Sequence, residues 1–289
     1  MRIAALVGVL NEVEIIEQCI RHLQQIGIDQ ILVCDMYSTD GTAKILANLI
    51  SESLKVMKVG VDEPGEVYLQ KCEDAVKGLD ADWILLTDAD EFALPSTGNI
   101  RDCAQLMDAD VISVSAYNVV CTSRGPHLPK DLSPARYGQI DLIVRDVSNF
   151  RDQLYSDQPL PIIRMVWPSK VMVRREQLHK MIDGSHDVMT VDSNLRLAHA
   201  TDLIIAHLFI TTRMRFLRKM QSICQTFAHQ DEYLGNDKAW HWRYLLGLLD
   251  RGEIDQEFQR SIFTVEQLSE LRASGVVKTA AEVLESSCV

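Results

Sequence analysis

Four apolar runs of strand length, at Ile3 to Leu10, Gln30 to Cys34, Lys55 to Val59 and Trp83 to Thr87, are separated by segments whose apolar residues recur at helical spacing. Val13, Ile16, Ile20 and Leu23 mark the first such segment; Ile45, Leu46, Leu49 and Ile50 the second; Leu69, Cys72, Ala75, Val76 and Leu79 the third. Strand-length runs alternating with helical period predict βαβ units. Such units close by right-handed crossovers, so the expected fold class is α/β: a mostly parallel, Rossmann-like sheet flanked by helices on both faces.

Sheets of this kind bind ligands beyond the carboxyl ends of their strands. Asn11 follows the first strand, Asp35 ends the second, and Asp88 and Asp90 follow the fourth, so the topology puts all of them on one rim. The fourth strand is the most telling, because I-L-L-T-D-A-D-E-F ends an apolar run in Asp88, Asp90 and Glu91. Two carboxylates at about 4 Å repel by roughly 4 kcal/mol at an effective dielectric of 20. A divalent cation, manganese or magnesium, removes that penalty, and such an ion fills its remaining positions with water and substrate phosphate oxygens. Asp80 and Asp82 form a second D-x-D, but they precede the strand and are expected on the opposite rim, roughly 16 Å away, as solvated turn acids. Asn11 is expected to cap the first helix, and Ser38, Thr39 and Asp40 the second.

Several function classes are excluded at this stage. The first turn, G-V-L-N-E-V-E, lacks the G-x-G-x-x-G of dinucleotide-binding folds, and no G-x-x-x-x-G-K-[ST] occurs. A formal charge of -12 argues against sequence-independent binding to nucleic acid. The apolar start meets Asn11 and Glu12 too early for a signal peptide and no run approaches membrane-spanning length, so a cytoplasmic protein without a transmembrane segment is expected. The seven cysteines are scattered and never form C-x-x-C, which suits reduced core thiols better than disulfides or zinc.

After a strand-like run at Val111 to Val120 the pattern changes. Six of the eight prolines fall between Pro126 and Pro168 among several arginines, which predicts long ordered loops over the rim. W-P-S-K-V-M-V-R-R and G-S-H-D follow, then a strand at Leu203 to Ile210, then R-M-R-F-L-R-K-M opening a region of helical period. Trp240, Trp242, Leu245 and Leu248 are expected to pack onto the core. The division expected is a catalytic domain over 1–210, with acceptor-side loops at 121–170, and a helical extension over 211–289. Apolar stripes in that extension can pack inward or against a second copy, so a homo-oligomer stays open.

Three motifs in order, N-E-V-E-I-I-E, D-M-Y-S-T-D-G-T and D-A-D-E-F, resemble the family 2 type glycosyltransferases of GT-A fold over residues 1–120. S-K-V-M-V-R-R with G-S-H-D, and A-H-L-F-I-T-T-R-M-R-F-L-R-K, resemble the branch of that family with a downstream histidine motif. The resemblance implies a metal-dependent, inverting transfer of a sugar from a UDP- or GDP-linked donor to a hydroxyl of a saccharide or small-molecule acceptor. Asp35, Asn11 and Asp40 would lie near base and ribose, and Asp88 and Asp90 would hold the cation against the diphosphate. His186 is the candidate third ligand, with His207 as its rival, and Arg213 is a candidate diphosphate contact. The family's Glu-Asp pair is missing at its usual distance, and Asp187, adjacent to His186, is a candidate base if its loop brings it within reach of an acceptor hydroxyl. Two alternatives follow from that gap and from the rim carboxylates: a non-catalytic nucleotide-sugar-binding scaffold, and a nucleotidyltransferase.

Overall fold

The computed structural model describes residues 1–60, 65–145, 147, 149–182, 186–234 and 240–287. The expected alternation is present: β1 (Ile3–Val9), α1 (Ile16–Gln25), β2 (Gln30–Asp35), α2 (Thr42–Leu49), β3 (Leu54–Lys58), α3 (Gly65–Lys77) and β4 (Trp83–Asp88). A short β5 (Glu91–Pro95) follows the D-x-D turn, and β6 is Val111–Val114 rather than one strand running to Val120. The main sheet has seven strands, in the order Leu197–His199, β6, Lys170–Arg174, β4, β1, β2, β3. All neighbours are parallel except Lys170–Arg174, which runs antiparallel to both β4 and β6.

Two steps, β1 to β2 and β2 to β3, move one way across this sheet, and β3 to β4 moves back past β1. Right-handed crossovers therefore put α1 and α2 on one face and α3 on the other. The core follows this rule. On the α3 face, Leu69, Cys72 and Val76 pack with Ala4, Leu6, Leu32, Ile84 and Leu86. Alternation sends Ile3, Ala5 and Val7 to the opposite face, where they are fully buried, as are Ile16 and Ile20 of α1. Burial on both faces explains why these strands appear as unbroken apolar runs. Strand order reverses between β1 and β4, the kind of position at whose carboxyl ends α/β sheets bind ligands.

The chain divides into two compact units, one of Met1–Ala116, Pro168–Ala206 and Leu284–Val289, the other of Tyr117–Trp167 and His207–Val283. Most of the proline-rich stretch groups with the helical region in the second unit. In the second unit, helices Arg213–Leu234, Trp240–Asp250, Ile254–Arg260 and Val265–Ala273 enclose a core that includes Phe209, Phe216, Leu245, Leu248 and Phe258, with Trp240 and Trp242 packed against it. Buried Glu257 ties this core together by accepting from Ile162 N at 2.7 Å and from the Tyr244 hydroxyl at 3.3 Å. Among the described residues, no helix is long and apolar enough to cross a membrane. Cys19, Cys34, Cys72, Cys103 and Cys121 are free and buried, while Cys224 is exposed.

Candidate active site

Strand register fixes the rim. Val9 pairs with Asp35 on one side of β1, and Gly8 pairs with Asp88 on the other. Two interstrand spacings of about 4.8 Å each therefore separate the Asp35 backbone from that of Asp88. Asp35 is fully buried. Its Oδ1 accepts from Ser38 N at 2.9 Å, whereas Oδ2 is buried with no hydrogen-bond partner. An unpaired buried carboxylate oxygen at a strand end is costly, and a bound N–H or O–H donor would satisfy it.

The loop after β1 and the loop after β2 are laced together. Asn11 is not a helix cap: α1 begins only at Ile16, and Asn11 adopts a left-handed backbone with φ 57°. Its Oδ1 instead accepts from Thr39 N at 2.7 Å, and its own N donates to Ser38 Oγ at 2.9 Å. Asp40 is engaged on both oxygens, Oδ1 by Thr42 N and Oγ1 at 3.0 and 2.6 Å, Oδ2 by Val13 N at 3.0 Å. These contacts organise the turn between β2 and α2. Tyr37, which the sequence reading passed over, is exposed and left-handed at φ 58°, with the Lys58 ammonium 5.7 Å from its ring centre. A bulky residue in that region is strained.

At β4 the side chain of Asp88 is 44% exposed, while Asp90 and Glu91 are buried. Their neighbour is Lys170, fully buried, with Nζ 2.8 Å from Asp88 Oδ2 and 3.1 Å from Glu91 Oε2. Glu91 Oε2 also accepts from Asp88 N at 2.8 Å and Thr87 Oγ1 at 3.2 Å. Lys170 reaches this turn because its strand is antiparallel: Val171 pairs with Leu86, so the strand starts at the rim where β4 ends. Burial alone would lower the lysine pKa, but Asp88 and Glu91 outweigh it and hold the ammonium charged above its ordinary range. The turn's negative field also reaches α1. Burial first, then Asp90, Glu91, Glu12 and Asp88, push the Cys19 thiol well up. Beneath the turn, buried His22 donates Nε2–H to Ala93 O of β5 at 2.6 Å, and burial lowers its pKa to about 4.

The other candidates lie as follows. His186 Nδ1 donates to Ser169 O at 3.2 Å, so in the neutral ring the lone pair is on Nε2. Exposed Asp187 accepts from Val188 N at 2.8 Å; Gly184 and Ser185 of the same motif lie outside the described residues. In the second unit, His207 is buried edge-on to Trp167 at 4.8 Å, and Arg213 makes a bidentate pair with Asp255 at 2.7 Å on both arms. At the opposite rim Asp82 Oδ2 accepts from Arg2 N at 2.7 Å and Asp80 pairs with the Arg2 guanidinium, so both serve the start of β1.

Among the described residues, no three His, Cys, Asp or Glu side chains form a group able to hold an ion. The donor set at the D-x-D turn, a half-exposed Asp88 and a buried Asp90 one residue apart, still fits a hard cation that takes one or two carboxylates and completes its shell with phosphate and water.

A family model described as "Glycosyl transferase family 2" matches residues 5–181. No curated protein sequence matches the chain. Among solved structures, S. aureus TarS 1–349 is similar at 14% identity and a TM-score of 0.43, covering 95% of this chain and 92% of that one. The same protein in complex with UDP-GlcNAc gives 13% identity and a TM-score of 0.39 over the same shares. Glucosyl-3-phosphoglycerate synthase from Mycobacterium tuberculosis, in complex with phosphoglyceric acid, gives 15% identity and a TM-score of 0.41 over 80% of each chain.

Proposed function

The chain belongs to glycosyl transferase family 2, and from that premise we propose that it moves a sugar, with inversion and with the help of a divalent cation, from a UDP- or GDP-linked donor to an acceptor hydroxyl. The observation that carries the donor assignment is the orphaned Oδ2 of Asp35, one strand beyond β1 from the D-x-D turn. Uracil N3–H and guanine N1–H are donors suited to that oxygen. The N3 of cytosine is an acceptor and is repelled by it, so CDP is the poor ligand on this reading. Asn11 and the loop it ties to Thr39 form the floor on which base and ribose rest.

Asp88 and Asp90 are the residues that would hold manganese or magnesium, with His186 Nε2 as the proposed additional ligand. When bound, such an ion supplies Lewis-acid stabilisation of the charge that develops on the departing diphosphate. Asp187 takes the proton from the acceptor hydroxyl as that oxygen attacks the anomeric carbon on the face opposite the leaving group.

Calorimetric titration with UDP, GDP and CDP, with and without manganese, tests the reading. The wild type is expected to bind UDP or GDP more tightly with metal. Asp90→Asn should abolish that metal enhancement, and Asp35→Asn should weaken nucleotide binding about 10- to 100-fold in either condition, since it removes the acceptor for a buried donor. A wild type that binds none of the three in either condition would sink the proposal.

A further inference from the structure

Lys170 is a feature of the rim that the proposed reading does not use. Burying an ammonium completely costs several kcal/mol unless it is paired and hydrogen-bonded. Here it is paired twice, at 2.8 Å to Asp88 and 3.1 Å to Glu91. Glu91 in turn is locked by Asp88 N and Thr87 Oγ1, so the lysine, the glutamate and the backbone of Asp88 form one rigid knot. The charges are informative. Asp88, Asp90 and Glu91 supply three negative charges within four residues of chain, and Lys170 removes one. What remains is a charge that a single divalent cation balances. The lysine also takes one specific oxygen, Asp88 Oδ2, whose carboxylate is the exposed half of the D-x-D pair.

We infer that Lys170 is a tethered counter-ion built into the D-x-D turn: a positioning residue that fixes the Asp88 carboxylate and, by sharing it, sets how tightly the turn takes a divalent cation. This rests on the proposed reading for the identity of the ion's ligands, and adds the residue that tunes them. A lysine serving only to neutralise buried Glu91 would affect folding stability and nothing else. A lysine sharing Asp88 with a cation repels that cation, and its removal tightens metal binding.

The test uses manganese alone, without nucleotide, titrated into the full chain by calorimetry and followed by the thermal midpoint with and without the ion. Lys170→Met removes one positive charge from the turn and is expected to bind manganese on the order of tenfold more tightly than wild type, with its loss of thermal stability partly restored by the ion. Glu91→Gln is expected to weaken manganese binding by a similar factor. The double variant Lys170→Met/Glu91→Gln restores the wild-type charge and should return near wild-type affinity. If Lys170→Met fails to fold, the double variant compared with Glu91→Gln decides: tighter manganese binding in the double variant supports the inference, and equal binding overturns it. Manganese binding that is unchanged by Lys170→Met overturns the inference while leaving the donor-site reading intact. Binding gained in Lys170→Met where the wild type has none would support the inference and leave the metal dependence of the reading to the nucleotide titrations. No binding in wild type, single or double variants overturns the inference, while the nucleotide titrations decide the donor-site reading separately.

Discussion

Gly8 and Asp88 sit side by side across the β1–β4 pair, and a Cβ built on Gly8 would lie 2.8 Å from Asp88 Oδ1. The glycine is there for space, since its φ is not left-handed and any residue could adopt its backbone. The opposite oxygen of the same carboxylate is held by Lys170. Asp88 is thus confined between a hydrogen atom on one side and an ammonium on the other, and its direction at the rim is fixed by two strands that meet it only in the folded sheet.

Gly8→Ala is accordingly expected to turn Asp88 rather than unfold the chain. Overpacking at a tight contact costs about 1–3 kcal/mol, and here the half-exposed carboxylate can yield by rotating. The expected result is a modest fall in thermal midpoint with a large fall in metal-enhanced nucleotide binding. Equal losses of metal-free and metal-enhanced binding would show that the contact does not act through Asp88.

The sheet and its rim were legible in the sequence because both depend on local pattern. Apolar runs and helical period placed β1 through β4 within a residue or so, and handedness then put Asp35 and Asp88 on one edge without further information. Lys170 was not legible as a partner of Asp88. The two are 82 positions apart, and their meeting depends on a strand that crosses back antiparallel after the proline-rich stretch, a register that nothing in K-V-M-V-R encodes by itself. Asn11 was misjudged for a related reason. A polar residue before a helical pattern suggests a cap, but Thr39 N from the next loop offered its side chain a better partner, and the helix starts further on. Gly8 carried a weak signal, a glycine inside an otherwise apolar strand, which often marks a close approach.

His22 makes stability depend on pH in a defined window. Its pKa falls from 6.5 to about 4 on folding, chiefly because burial disfavours the charged ring. Between those values the unfolded chain binds the extra proton and the folded chain does not, so stability rises with pH there. The contribution is complete above pH 6.5, declines as pH falls, and is gone near pH 4, for a total of about 3 kcal/mol. Urea midpoints at pH 7.5 and 4.5 should therefore differ less in His22→Gln, whose amide can still donate to Ala93 O, than in the wild type. An unchanged pH difference would mean that the ring is not held neutral beneath β5.

Asp187 is the residue whose role turns most directly on chemistry. Its side chain is exposed, and the backbone bond from Val188 N engages Oδ1, which orients the carboxylate without neutralising it. Asparagine keeps the shape and can keep that hydrogen bond, but it cannot accept a proton. If Asp187 deprotonates the acceptor, Asp187→Asn should leave nucleotide-sugar binding unchanged and lower kcat at least about 100-fold, the usual scale of a general base. Azide is already an anion and needs no base, so it should take the sugar from the donor in Asp187→Asn at a rate close to that with the wild type. Turnover of the hydroxyl acceptor at the wild-type rate would remove Asp187 from the reaction. A loss that azide does not relieve would place its effect in the fold of the His186 loop, because a missing base cannot slow a nucleophile that carries no proton.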